Sequence, residues 1–241
     1  MADVKKMATR DGYGKALVEL GKEHDDIVVL DADLAGSTKT GMFAKAYPDR
    51  HFNCGIAEAD MMCVAAGLAA SGMVPFASSF AMFASGRAFE QIRNSVGYTK
   101  LNVKIGASHG GMSVGEDGAS HQTFEDLALM RTIPGMVVVN PCDGASTTEL
   151  MKQVVEFDGP CYVRLGRAAV PVFYEEGTEI KTDAPSERYS EDVKLLTALG
   201  LYSFGEYAYN DTVSRGEFAK MIADLLGATE TADGGKFTDV T

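Results

Sequence analysis

The sequence contains no tryptophan, only four cysteines and no long apolar run among its 241 residues. A membrane-spanning helix needs roughly 20 consecutive apolar residues, so the sequence predicts no transmembrane segment. The opening stretch MADVKKMATRDGYG lacks the apolar centre of a signal peptide, and we expect a cytoplasmic protein. The cysteines show no CxxC spacing and lie among apolar residues, which favours reduced core thiols over disulfides or zinc ligands. These cysteines are Cys54, Cys63, Cys142 and Cys161.

Basic residues are also few, because 22 Lys and Arg stand against 34 Asp and Glu. The formal net charge is −12 and the isoelectric point is near 4.8. A negative surface repels both a phosphate backbone and anionic lipid headgroups, so we expect neither nucleic acid nor a membrane as a partner. Hydrophobic residues make up 46% of the chain, enough to bury the core of one large domain with a small appendage.

Strand-like and helix-like segments alternate from about residue 10 to residue 170. Short apolar runs rich in β-branched residues predict strands at 27–30, 74–77, 103–107, 136–139 and 162–165. Apolar residues at helical spacing predict helices at 13–24, 57–70, 84–98, 123–131 and 144–156. This alternation predicts an α/β fold with a mostly parallel, doubly wound sheet that is covered by helices on both faces.

Polar residues collect where the predicted strands end. Asp31 and Asp33 follow the first strand, Ser78 and Ser79 follow the second, and His109 comes shortly after the third. In such a sheet, ligands bind at the carboxyl ends of the strands, near the point where the strand order reverses. We therefore expect a cofactor or substrate site at this edge.

The composition changes near the C-terminus, which predicts three parts: a domain at 1–175, a charged linker at 176–189 and a small all-α unit at 190–241. Ser190 can cap a helix in the last part. Ser214 and Glu217 form a capping box for a second helix, which Gly227 can terminate.

Three motifs occur in order along the first part. Glu58, in GIAE, opens a predicted helix whose other residues are mostly small or apolar, and Phe80 and Phe83 lie three residues apart. The third motif is the loop SHGGMSVGEDGASHQ at 108–122, which holds two histidines, an adjacent Glu–Asp pair and four glycines. Taken singly, the glutamate is an ordinary first-turn residue favoured by the helix dipole, and the phenylalanines are ordinary core residues.

The loop leaves two further alternatives open. It could be an ordinary surface loop, or it could hold a metal through His109, Glu116, Asp117 and His121. These residues lack a helical His-x-x-x-His spacing, so we predict no metal ligand in the chain.

Together and in this order, the motifs closely resemble the pyrimidine-binding domain of transketolases over about residues 8–172. The segment RAFEQIRNSVGYTKLNVKI is similar to the C-terminal subunit of split, two-gene transketolases. The resemblance implies ketol transfer between sugar phosphates in the pentose phosphate pathway, with thiamine diphosphate and Mg²⁺ as cofactors. The related 1-deoxyxylulose-5-phosphate synthases also carry a GEDG loop, but the RAFEQIRNS segment favours transketolase.

The resemblance also implies roles for particular residues. In the family, a glutamate at the position of Glu58 contacts the pyrimidine ring and helps the cofactor to ionise its reactive carbon. Phe80 and Phe83 stack on that ring, and Asp33 lies near the thiazolium end. Many relatives have a third aromatic residue where this chain has Gly86.

The resemblance assigns the substrate side to residues further along the chain. His109 and His121 flank the substrate channel and take part in catalysis, where they contact sugar oxygens or phosphate. Asp117 accepts a hydrogen bond from a substrate hydroxyl, and Arg167 binds the sugar phosphate.

Two departures from the family pattern change the expected partners. The GDG motif that helps to hold Mg²⁺ and diphosphate is absent from the sequence, so we expect a separate N-terminal subunit to supply it within an oligomer. We also expect the usual third domain not to follow residue 180, because the segment at 190–241 instead resembles an S-layer homology repeat. This tail suggests an alternative function, in which a non-catalytic protein binds cell-wall polysaccharide or another partner.

Overall fold

The computed structural model describes residues 5–180. The predicted helical unit at 190–241, most of the predicted linker and the S-layer-like resemblance lie outside the described residues. The alternative function in cell-wall binding depends on the same tail and also falls outside them.

Eight strands form two sheets in the described region. In chain order they are β1 (Lys6–Met7), β2 (Ile27–Asp31), β3 (His51–Asn53), β4 (Val74–Phe80), β5 (Lys104–Ser108), β6 (Val137–Val139), β7 (Cys161–Arg164) and β8 (Val170–Pro171). The main sheet is parallel, with the order β3-β2-β4-β5-β7-β6, and β1 pairs with β8 in a small antiparallel sheet. The chain passes from β2 outward to β3 and then returns to β4, so the strand order reverses between β2 and β4.

Seven α-helices connect these strands. They are α1 (Thr9–Glu23), α2 (Ala35–Thr38), α3 (Gly41–Ala46), α4 (Glu58–Ala70), α5 (Phe89–Gln91), α6 (Asp126–Arg131) and α7 (Gly144–Glu156). The predicted helix at 84–98 is instead a short α5 between two π-helical turns, Phe83–Arg87 and Ile92–Gly97. No helix in residues 5–180 is long and apolar enough to cross a membrane.

The main sheet is buried on both faces, which confirms the predicted doubly wound α/β fold. On β2, Ile27 and Val29 pack with apolar residues of α1 and α7. The alternate residues Val28 and Leu30 pack on the other face with apolar residues of α4. Because successive side chains of a strand point to opposite faces, one continuous apolar run supplies both cores.

Two cysteine positions differ from the expectation of core thiols. Cys161 is buried in β7, and burial raises the pKa of its thiol to about 11. Cys63 and Cys142 are exposed, so the prediction is wrong for these two. Cys63 lies on the outer side of α4, where apolar neighbours in the sequence do not imply burial.

Two glycines allow close approaches that hold α1 against the sheet and against α7. A Cβ atom on Gly12 would lie 2.4 Å from the carbonyl oxygen of Gly144. A Cβ atom on Gly106 would lie 2.2 Å from the hydroxyl of Tyr13, which shares a 2.7 Å hydrogen bond with Ser78. β4 continues to Phe80, so Ser78, expected beyond the strand, lies within it and is used for packing.

We predict that Gly12→Ala destabilises the protein by about 1 to 3 kcal/mol, because the added methyl group overlaps the backbone of α7. Gly67→Ala in α4 is the matched control, since no atom lies within 4 Å of its Cβ position. Helix propensity alone should make that variant about 0.5 to 1 kcal/mol more stable. Urea unfolding followed by circular dichroism measures both effects, and equal shifts in the two variants would contradict the packing argument.

Candidate functional site

An aromatic cluster lies where β4 and β5 end. The last residues of these strands, Phe80 and Ser108, are paired neighbours, so the next residue, His109, lies beside Phe80. The His109 ring stacks on Phe80 with 3.8 Å between centroids, and Phe83 stacks on Phe80 at 5.5 Å. His121 meets Phe80 and Phe83 edge-on at 5.6 and 5.1 Å. Phe80 is buried, whereas Phe83 is only half-buried, which leaves Phe83 with more accessible surface.

Glu58 is the first residue of α4 and is only 4% exposed. A carboxylate is favoured there by the unpaired backbone N–H groups and the helix dipole. Its Oε1 accepts a 3.0 Å hydrogen bond from Nη1 of Arg87, whose guanidinium carbon lies 4.0 Å from the centroid of Phe83. Arg87 therefore links the buried carboxylate to the accessible aromatic ring, a contact that the sequence analysis did not predict.

Asp33 lies two residues beyond the end of β2, in a left-handed conformation with φ of 61°. Its backbone N–H donates to Oδ1 of Asn53 over 3.1 Å, and Nδ2 of Asn53 donates to Oδ1 of Asp33 over 3.3 Å. Because β2 and β3 are adjacent, Asn53 reaches Asp33 and fixes its orientation. Within the described region, no hydrogen bond or ion pair joins Asp33 to Glu58.

His109 is 2% exposed and has a left-handed backbone with φ of 59°. Its Nδ1 shares a 3.0 Å hydrogen bond with Ser108 Oγ, and its Nε2 lies 3.8 Å from Asp117 Oδ2. Burial lowers the pKa of His109 to about 4, and the charge of Arg10 acts in the same direction while Asp117 opposes it. His109 is therefore neutral at pH 7 and can hydrogen-bond a neutral hydroxyl group.

Arg167 joins the loop to the end of β7. Its Nε lies 3.3 Å from Asp117 Oδ2, and its Nη2 donates a hydrogen bond to Glu116. Asp117 Oδ2 is buried and accepts no hydrogen bond from the described part of the chain. The loop therefore presents a buried acceptor beside a guanidinium group.

A second arginine, Arg10, belongs to this region. Its Nη1 donates to the carbonyl oxygen of Ser37 over 2.9 Å, while its buried Nε has no hydrogen-bond partner within residues 5–180. Burial lowers the pKa of Arg10, and the nearby charge of Arg167 lowers it further. Arg10 was not predicted as a site residue, although a cation in the first turn of a helix opposes the helix dipole and so indicates a role outside the helix.

The turn that carries His109 packs against an ion pair between Arg164 and the buried carboxylate of Asp126. Arg164 Nε lies 2.8 Å from Asp126 Oδ2, which also accepts a 3.0 Å hydrogen bond from the Tyr162 hydroxyl. A Cβ atom on Gly110 would lie 2.8 Å from the Arg164 side chain. Glycine is required there because Arg164 occupies the space that a larger residue would need.

Comparisons with known proteins show which family the chain belongs to. Residues 5–172 match the model of the transketolase pyrimidine-binding domain. The chain belongs to this family. The match covers more than half of the chain, and it confirms the resemblance deduced from the three motifs.

Two curated relatives and one solved structure show how much of the family the chain spans. It is 57% identical to a transketolase C-terminal section from Methanocaldococcus jannaschii, over 79% of this chain and 60% of the relative. It is 43% identical to one of the subunits of an apulose-4-phosphate transketolase from Phocaeicola vulgatus, over 70% of this chain and 54% of the relative. The chain therefore spans about 60% or less of the length of these relatives.

The solved structure is a split-gene transketolase described as an inactive β4 tetramer. It shares 50% sequence identity with this chain and superposes with a TM-score of 0.68, covering 81% of this chain and 69% of that one.

In this member of the transketolase family, most of the predicted site residues gather at one edge of the sheet. Phe80, Phe83, His109 and His121 form the aromatic cluster. Asp117 and Arg167 adjoin His109, and Glu58 reaches Phe83 through Arg87. Asp33 lies beyond β2 with Asn53 as its partner. The roles of these residues in binding and catalysis stay predictions.

The metal alternative gains no support from the geometry. Within residues 5–180, no three His, Cys, Asp or Glu side chains are grouped as a metal site requires. The two carboxylates that this alternative would use, Glu116 and Asp117, both pair with Arg167.

We predict that His109 makes the stability of the protein fall in acid. Its pKa of about 4 in the folded state lies below the usual value of 6.5, so the unfolded state binds more protons between these values. The free energy of unfolding should therefore be highest above pH 6.5 and fall by on the order of 3 kcal/mol as the pH approaches 4. Urea unfolding at several pH values measures this loss.

The matched variant is His109→Asn, because asparagine does not titrate and tolerates a left-handed backbone. The contribution of His109 to the loss of stability in acid should disappear in this variant and remain in His24→Asn. An acid loss of the same size in His109→Asn and in the unmodified protein would contradict the prediction.

Proposed function

We propose that the chain supplies the pyrimidine-binding half of a thiamine diphosphate-dependent transketolase, which transfers two-carbon ketol units between sugar phosphates. The observation that carries the proposal is the buried carboxylate of Glu58, linked through Arg87 to the half-buried ring of Phe83. A pyrimidine ring has a nitrogen that a carboxyl group can hold and a flat face that an aromatic ring can cover. When bound, the cofactor supplies the nucleophilic carbon for the ketol transfer.

The residues at this edge of the sheet have different roles in binding the cofactor. Glu58 holds a proton between its carboxyl group and the ring nitrogen. Phe83, with Phe80 packed behind it, would orient the ring. Asp33 would be the residue that lies toward the thiazolium end. Asn53 keeps Asp33 in its left-handed conformation, which places that carboxylate at the sheet edge.

The diphosphate end of the cofactor requires ligands from elsewhere. The described residues group no three metal ligands, and the sequence contains no GDG motif. We therefore assign Mg²⁺ and the diphosphate to a separate N-terminal transketolase subunit that assembles with this chain as an oligomer. The solved split-gene relative, an inactive assembly of β chains, is in keeping with a need for a second subunit.

The substrate end combines neutral and cationic groups. His109, neutral at pH 7, and His121 contact sugar oxygens, and the buried acceptor of Asp117 receives a hydroxyl hydrogen bond. Arg167 and Arg10 bind the phosphate at the far end of the sugar, since guanidinium groups bind phosphate through paired hydrogen bonds.

The names of two relatives are in keeping with a site that binds both sugar oxygens and an anionic group, because they refer to an apulose 4-phosphate and a 6-deoxy-6-sulfo-D-fructose. Both are sugars with an anionic group. A transketolase of this kind would act in the cytoplasm, within the pentose phosphate pathway.

The direct test of the function is ketol transfer from xylulose 5-phosphate to ribose 5-phosphate, with thiamine diphosphate and Mg²⁺. We expect activity when the chain is mixed with a diphosphate-binding transketolase subunit and none with either protein alone. Glu58→Gln in the mixture should lower the rate by on the order of 10² to 10⁴, the usual effect of a positioned proton-transfer group.

The control is Glu19→Gln, which removes a carboxylate from the exposed side of α1 and should keep full activity. An unchanged rate for Glu58→Gln would exclude the proposed role of Glu58. A silent mixture of folded proteins would contradict the proposed function as a whole.

We predict that Arg10→Met weakens the binding of phosphorylated sugars. The KM for ribose 5-phosphate should rise by about 10- to 100-fold, because a charge-assisted hydrogen bond is lost. The KM for glycolaldehyde, an acceptor without phosphate, should change less than the KM for ribose 5-phosphate. Arg131→Met removes an exposed arginine of α6 and is the control. Equal increases in both KM values would show that Arg10 does not bind the phosphate.

A further inference from the structure

Arg87 contacts the two residues that the proposed function assigns to the pyrimidine ring of the cofactor, Glu58 and Phe83. Its Nη1 donates to the buried carboxylate of Glu58 over 3.0 Å, and its guanidinium carbon lies 4.0 Å from the centroid of Phe83. The side chain of Arg87 is 53% exposed, whereas that of Glu58 is 4% exposed. A side chain at the surface thus reaches inward to a carboxylate and an aromatic ring at once.

These two contacts are the ones that the cofactor needs. A guanidinium group is flat, donates hydrogen bonds and stacks on aromatic rings, and an aminopyrimidine held by a carboxyl group has the same three properties. Arg87 already occupies Oε1 of Glu58, and its guanidinium group and the Phe80 ring both lie against the ring of Phe83. The cofactor ring can therefore engage these residues only after the guanidinium has moved away.

The position of Arg87 allows such a movement. It is the last residue of the π-helical turn Phe83–Arg87, and its neighbour Gly86 has no side chain that could hold it in place. Within the described residues, Glu58 supplies the one hydrogen bond to its guanidinium group. Half of the side chain faces solvent, so the displaced guanidinium can be hydrated without crossing the core.

We propose that Arg87 is an affinity-determining residue that competes with the aminopyrimidine of the cofactor for Glu58 and Phe83. The inference rests on the proposed function and adds a residue that weakens cofactor binding. In the chain without its cofactor, Arg87 donates a hydrogen bond to the buried carboxylate of Glu58, which lowers the free-energy cost of burying that charge. The same contact raises the concentration of cofactor that the assembled enzyme needs.

The first test measures thiamine diphosphate binding by calorimetry, using this chain assembled with a diphosphate-binding subunit and Mg²⁺. Arg87→Met should lower the Kd by on the order of 5- to 30-fold, since an ion pair and a cation–π contact no longer have to be broken. Arg87→Lys keeps the charge without the flat group and should give an intermediate Kd. Arg93→Met, an exposed arginine on the same stretch, should leave the Kd unchanged.

The outcomes of this test are distinct. A lower Kd for Arg87→Met alone supports the competition. An unchanged Kd refutes it, and a higher Kd shows that Arg87 helps to hold the cofactor. Thermal unfolding is a second readout: without cofactor, Arg87→Met should unfold at a lower temperature than the unmodified protein, and cofactor should stabilise this variant more.

A second test uses the full chain alone and does not depend on the proposed function. Phenylglyoxal modifies accessible arginines, and mass spectrometry reports each site separately. Glu58→Gln should speed the modification of Arg87 roughly threefold, because its ion pair is lost, while the rate at Arg93 stays the same. An unchanged rate at Arg87 would refute the ion pair. If the assembled proteins bind no cofactor but Glu58→Gln still speeds the modification of Arg87, the proposed function is refuted while the ion pair between Arg87 and Glu58 is supported.

Discussion

The site depends on the register between β4 and β5. In this register Ser78 lies opposite Gly106, and Phe80 lies opposite Ser108. The Tyr13 hydroxyl occupies the space beside Gly106 and hydrogen-bonds to Ser78. A register shift that brought Ile105 or Ala107 to the position of Gly106 would place a side chain where the Tyr13 hydroxyl lies. A one-residue shift would also turn every side chain to the other face of the sheet. One buried hydrogen bond beside one glycine therefore keeps His109 next to Phe80.

The same edge separates neutral from charged groups, and burial causes the separation. His109 is enclosed and stays neutral at pH 7, while the guanidinium groups of Arg10 and Arg167 lie nearby. Asp117 lies between them, 3.8 Å from the histidine and 3.3 Å from Arg167. A ligand with neutral hydroxyl groups in the middle and an anion at one end matches this order, and a sugar phosphate has that form.

Much of the fold and part of the site could be predicted from the sequence. The parallel sheet followed from apolar runs buried on both faces, and the site followed from motifs at the carboxyl ends of strands. Arg87 and Asn53 were missed because their partners lie 29 and 20 residues away, and only the fold brings them together. β3 was missed because its three residues are mostly exposed and show no apolar period, and the π-helical turns have the composition of an ordinary helix.

The measurement that tests the central claim most directly is the stoichiometry of thiamine diphosphate binding in the presence of Mg²⁺. Equilibrium dialysis would compare this chain alone, a diphosphate-binding subunit alone and their mixture. If the chain holds only the pyrimidine half of the site, tight binding should appear in the mixture alone, with one cofactor for each pair of chains. Tight, Mg²⁺-dependent binding to this chain alone would contradict the claim, because it would require a diphosphate site within the chain itself.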